Sequence, residues 1–101
     1  MRVQVSARGL DTSGGLRTQV ERRLRFRLGR FSNRIIDAPV TITKLKGSNG
    51  RFNIRCCIQV RIRGSTQVVV EEVEKNPHLA LDRAVDRARR AVARKLDRRR
   101  D

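Results

Sequence analysis

Histidine occurs once in this sequence, cysteine twice and in adjacent positions, and acidic residues number 10 against 25 basic ones. Each scarcity removes a class of function. The lone His78 has no clustered Cys, Asp or His near it in the sequence, and there is no Cys-x-x-Cys pair, so no metal site is expected. Cys56 and Cys57 are neighbours in an extended run and point to opposite sides of it. They cannot bridge each other without severe strain, and they read as one core thiol and one surface thiol. No Gly-rich phosphate loop precedes a helix and no paired carboxylates flank a cleft, so no catalytic residue and no cofactor are expected. A small thiol enzyme built on Cys57 and His78 is the one enzymatic reading the chain offers. No apolar run approaches the ~18 residues of a membrane helix, and the start MRVQVSARGL has no uninterrupted apolar stretch of the kind a secretory signal carries. The expectation is a cytoplasmic protein with no membrane partner and no small-molecule substrate.

What the chain has in excess is positive charge. Its 101 residues fit one domain, and 38% apolar content can close a single modest core. The formal charge is +15 and the pI near 11.8, which points to a polyanionic partner, in the first place nucleic acid. Of the basic residues 21 are Arg. Arg scattered over all surfaces is solvation, whereas Arg gathered on one side is a phosphate-binding surface, so position decides the meaning.

Arg2 to Arg8 alternates strictly, Val3, Val5 and Ala7 against Arg2, Gln4, Ser6 and Arg8, and predicts a half-buried strand. Leu16, Val20, Leu24, Leu28 and Phe31 recur at helical spacing and predict a first helix with Ser13 as its N-cap. Gly14 and Gly15 fray or delay its start. Asp37-Ala38-Pro39 reads as punctuation before a second strand, Val40 to Lys46, which ends in the turn Gly47-Ser48-Asn49-Gly50. From Arg51 to Arg63 every even position is apolar, the pattern of a long central strand with one buried face. Gly64-Ser65 predicts a tight hairpin into a fourth strand, Thr66 to Val73. Asn76-Pro77 then caps and opens a last helix with the stripe Leu81, Val85, Ala88, Val92 and Leu96. The predicted fold is α+β, order βαβββα, a four-stranded sheet with both helices packed on one face. Residues 1–98 are expected to form a single RNA-binding domain, with 99–101 as a short basic tail end.

At 100° per residue Arg83, Arg87, Arg90 and Arg94 fall within about 60° of one another, opposite the apolar stripe of the last helix. Asp82 and Asp86 lie on the flank of this stripe. Glu71, Glu72 and Glu74 form a separate acidic segment, expected to lie away from any bound phosphate. In the first helix Arg22, Phe26 and Arg30 share the outer face, which would set an aromatic ring between two guanidinium groups, ready to stack on an unpaired base. The competing reading sends Phe26 back to the edge of the core.

Two strings, MRVQVSARGLDTSGGLRTQVERRL at the front and NPHLALDRAVDRARRAVARKL at the back, resemble the ribosome hibernation promoting factor and ribosome-associated inhibitor family. The resemblance runs over nearly the whole chain as a pattern of spacing and charge and is best in the last helix, at Asn76, His78, Ala80, Leu81-Asp82 and Asp86-Arg87. Family basic positions fall on Arg87, Arg90 and Arg94, and also on Arg8 and Arg23. His78 stands where the family usually has Tyr, and Arg25-Phe26-Arg27-Leu28 is one residue out of the family register. The resemblance implies a short-form member with a layout like that of a double-stranded RNA-binding domain, monomeric off the ribosome. It also implies that ribosomal RNA of the small subunit is the partner, bound in the messenger and transfer RNA channel so that translation stops under stress. The candidate RNA-binding residues are Arg8, Arg22, Arg23, Phe26, Arg30, Arg83, Arg87, Arg90 and Arg94. The alternative is a general RNA- or DNA-binding regulator of the same fold acting away from the ribosome.

Overall fold

A computed structural model describes residues 1–11, 14–64 and 66–98. Among them the order is β1 (Arg2–Arg8), α1 (Leu16–Leu28), a 3-10 turn (Gly29–Arg34), β2 (Ile35–Lys46), β3 (Phe52–Ile62), β4 (Gln67–Glu74) and α2 (Pro77–Arg98). The strands lie in the order β1-β2-β3-β4, β1 parallel to β2 and the other pairs antiparallel. The expected α+β sheet with two helices on one face is what forms.

Period-2 alternation places Val5, Val40, Ile42, Ile54, Cys56, Ile58, Val60, Val68 and Val70 on the helix side of the sheet. Val20, Leu24 and Leu28 from α1 and Leu81, Val85, Ala88, Val92 and Leu96 from α2 close onto them. Burying each of the larger of these side chains contributes about 1.5–3 kcal/mol, so this one layer dominates stability. Phe52 departs from the even-side pattern. It is half exposed at the hairpin end, beyond the core, where Lys44 Nζ lies 4.2 Å from its ring centre.

Gly15 sits at φ +88°, a left-handed conformation that places the helix start at Leu16 and accounts for the delay expected of Gly14-Gly15. Ser13, the expected N-cap, lies outside the described residues, and Gly15 occupies the cap position without a side-chain bond. At the other helix the expectation holds, since Asn76 Oδ1 accepts from the Leu79 backbone N–H at 2.8 Å. The Gly47–Gly50 turn is closed by Gly50 N donating to Gly47 O at 3.1 Å. Ile62 N donates to Thr66 O at 2.9 Å across the β3–β4 turn, of which Ser65 lies outside the described residues.

The second strand begins five residues earlier than predicted. Asp37-Ala38-Pro39 is inside β2, not before it. Asp37 lies opposite Arg61 in the register, and Arg61 Nε donates to its Oδ1 at 2.6 Å while Nη2 meets Oδ2. This fork satisfies a carboxylate whose side chain is only 8% exposed. Pro39 tolerates a strand interior here because it lies close to the register irregularity between Ile35 and Asp37. The first helix also ends earlier than the periodicity implies. Past Leu28 the chain tightens into the 3-10 turn, so Phe31 packs on the core edge outside the α-helical repeat.

The hydrogen-bonded Arg61 guanidinium holds the Asp37 carboxyl below the usual carboxylate range, against the opposing effect of burial. The stability this adds is therefore fully present above the unfolded-chain value near ~3.9 and is lost as pH falls through the depressed folded-state value. Urea denaturation from pH 7 to pH 2 should show Asp37→Asn less stable than wild type at neutral pH and the gap closing in acid. A gap that stays constant with pH contradicts the role of the pair.

Candidate nucleic-acid interface

The first helix has five basic residues against Glu21, and α2 has seven against three acids, so each has a net charge of +4. They lie side by side on the sheet, and two carboxylates of α2 stand between them. Asp82 pairs with Arg23, and Asp86 takes Arg27 Nη2 at 2.7 Å and Arg90 Nη2 at 3.2 Å. These side chains are 39–58% exposed, so solvent screening keeps each pair at the low end of the ~0–1 kcal/mol typical of surface ion pairs. Their effect is to fix guanidinium positions, not to hold the fold. Gln19 Nε2 and His78 Nδ1, 2.9 Å apart, add a third link between α1 and α2.

Two grooves flank α2. The first, of about 520 Å³, runs between the helices and is lined by Arg22, Arg23, Phe26, Arg27, Asp82, Val85 and Asp86. The second, of about 370 Å³, runs between α2 and the free edge of β4 and is lined by Arg87, Arg90, Arg94, Val69, Val70 and Ala91. Of the nine candidate residues, Arg22, Arg23 and Phe26 meet in the first groove and Arg87, Arg90 and Arg94 in the second. Phe26 is 83% exposed, which rejects the core-edge alternative.

The remaining candidates are placed differently. Arg30 belongs to the 3-10 turn and lies 5.0 Å over the ring of Phe31, so it does not sandwich Phe26 with Arg22. Arg8 ends the alternate set of β1 on the sheet face turned away from both helices, because Val3, Val5 and Ala7 take the core side. Arg83 is on the α2 stripe but reaches Glu74 Oε1 at 2.9 Å. Arg27, absent from the candidates, belongs to the first groove. Its place on the outer face of α1 was readable, but only the packing of α2 shows that it borders a cleft.

The acidic segment is not remote from the stripe. A short turn folds β4 back beside α2, so Arg87 Nη1 meets Glu72 Oε2 at 3.0 Å and also donates to the Glu71 carbonyl at 2.9 Å. A helical wheel shows which residues share a face of α2, but not which strand runs alongside it.

Cys56 is fully buried, and burial, with Cys57 adding, pushes its thiol up to about 12. Cys57 is half-buried on the opposite face of β3, so the sheet stands between it and His78 on the helix side. The two are not placed to act together. A maleimide at pH 8 should therefore label one thiol per native chain, at Cys57, and the second only in guanidinium. Equal labelling of both in the native protein would contradict the core position of Cys56.

An α+β sheet with two cationic helices on one face, grooved on both sides of the second, defines a basic binding domain. A family model described as sigma 54 modulation protein / S30EA ribosomal protein matches residues 3–100, and the chain belongs to that family, in agreement with the resemblance in its sequence. Two solved structures share the fold. The Protein Y N-terminal domain of Thermus thermophilus is 30% identical with a TM-score of 0.75, over 93% of this chain and 98% of that one. A ribosomal subunit interface protein from Coxiella burnetii is 16% identical with a TM-score of 0.80, over 96% of this chain and 99% of that one. Among curated protein sequences none matches the chain.

Proposed function

We propose that this protein is a ribosome hibernation factor that binds ribosomal RNA of the small subunit and blocks the channel where messenger and transfer RNA would sit, holding ribosomes idle under stress. The observation that carries the reading is the groove of Arg87, Arg90 and Arg94, three guanidinium groups converging beside the β4 edge in a chain of this family. The name of the Coxiella relative, a ribosomal subunit interface protein, supports the same partner. Folded RNA is contacted chiefly through phosphates and 2′-hydroxyls, which demand fixed donors and shape more than a base code. The mechanism is occlusion: no bond is made or broken, and the bound domain excludes the RNAs that translation needs. Arg83 and Arg23 extend the phosphate-facing set, and Arg8 and Arg30, on other surfaces, would contact RNA only where it wraps past the helix face. The cellular site of action is the cytoplasm, on the ribosome, and the free protein is a monomer.

Glu72 and Glu74 compete with phosphate for Arg87 and Arg83. Glu72→Gln with Glu74→Gln should therefore tighten ribosome association. Arg87→Gln, Arg90→Gln and Arg94→Gln together should cost over a hundredfold, from three lost charged contacts at about 1 kcal/mol each. Gln is chosen because a carboxylate at position 87 would repel Glu72. Sedimentation with small subunits on sucrose gradients reads both variants, with circular dichroism reporting the fold. A folded triple variant that cosediments as wild type overturns the proposal, and comigration of the wild type with non-ribosomal RNA favours the general regulator.

A further inference from the structure

The two grooves beside α2 differ in chemistry. The β4 groove has guanidinium groups and small apolar side chains, whereas the interhelix groove adds the ring of Phe26, the apolar floor of Val85 and the carboxylates of Asp82 and Asp86. A phosphate would meet two negative groups in the interhelix groove, and a wholly apolar ligand would take their remaining acceptor positions out of water unpaired. A heterocycle with amino donors satisfies both halves. Its face stacks on an aromatic ring, its donor edge reaches a carboxylate, and the phosphates on either side of it stay at the rim with Arg22, Arg23 and Arg27.

We propose that the groove between α1 and α2 is a slot for one unpaired guanine of RNA, stacked on Phe26 and donating from its N1–H and N2 amino edge to Asp82 or Asp86. The slot rests on the RNA-binding reading and adds to it a base preference. A carboxylate accepts at about four positions, so the pairs of Asp82 with Arg23 and of Asp86 with Arg27 and Arg90 leave acceptor capacity while holding the oxygens in place. Guanine presents two parallel donors that match the two oxygens of one carboxylate. Uracil offers a single N–H between two carbonyls, which the same carboxylate repels. The ring of Phe26 is 83% exposed, so it spends little packing energy on the fold and is available to a base.

The sequence has no Trp and no Tyr, so Phe26→Trp puts the only strong fluorophore of the protein inside the slot. The probes are the RNA pentamers UUGUU and UUUUU at low salt, followed by anisotropy of a labelled end with wild type and by tryptophan emission with the variant. UUGUU should bind at least about fivefold tighter than UUUUU and quench the emission. Phe26→Ala should weaken UUGUU by at least about fivefold, within the range of one base–aromatic stack. Asp82→Asn with Asp86→Asn should remove the preference while tightening both pentamers, since two negative charges leave a basic surface. A merely structural role for the two acids would not produce that split. Pentamers that bind by anisotropy without quenching, or without a fivefold preference, overturn the slot and leave the RNA-binding reading standing. Binding of neither pentamer overturns the RNA-binding reading itself.

Discussion

One face of a four-stranded sheet has to be taken out of water, and only two helices are available to cover it. The even side chains of β3 and their neighbours on β2 and β4 fix where α1 and α2 lie, since each large side chain buried there is worth more than any surface ion pair in the molecule. The remaining surface of both helices is then set by their sequence, and Arg is its commonest residue. Two helices of like charge are thus packed side by side because burial outweighs a screened repulsion that Asp82 and Asp86 further reduce. The same two carboxylates give the interhelix groove its mixed character.

Where strict periodicity exists, the fold was legible. The alternation of β1, that of β3 from Ile54 onward, the Asn76-Pro77 start and the five-residue apolar stripe of α2 all appear as read. Where a local signal is overridden from far along the chain, it was not. Asp37-Ala38-Pro39 reads as a break, and becomes strand because Arg61, 24 residues away, neutralises the buried acid. Phe31 continues the spacing of α1 in sequence but not in space, because the chain must tighten after Leu28 to reach β2.

The site divides in the same way. Which residues share a helix face follows from 100° geometry, and the Arg87, Arg90 and Arg94 set needed nothing more. What lies across from that face follows from tertiary packing alone. Glu72 and Glu74 meet the stripe, Arg30 turns to Phe31, and Arg8 falls on the far side of the sheet. Exposure of Phe26 also required the structure, since a ring at that spacing could have turned inward.

Under the proposed function the helix side of the sheet, and not its open side, faces RNA. Arginine modification by phenylglyoxal, read by mass spectrometry with and without bound small subunits, distinguishes the two sides, because Arg side chains among the described residues lie on both of them. Binding should protect Arg22, Arg23, Arg27, Arg87, Arg90 and Arg94 and leave Arg55 and Arg61, on the open face of β3, as reactive as in the free protein. Protection of Arg55 and Arg61 with the helix set left reactive would put the RNA on the open face of the sheet instead.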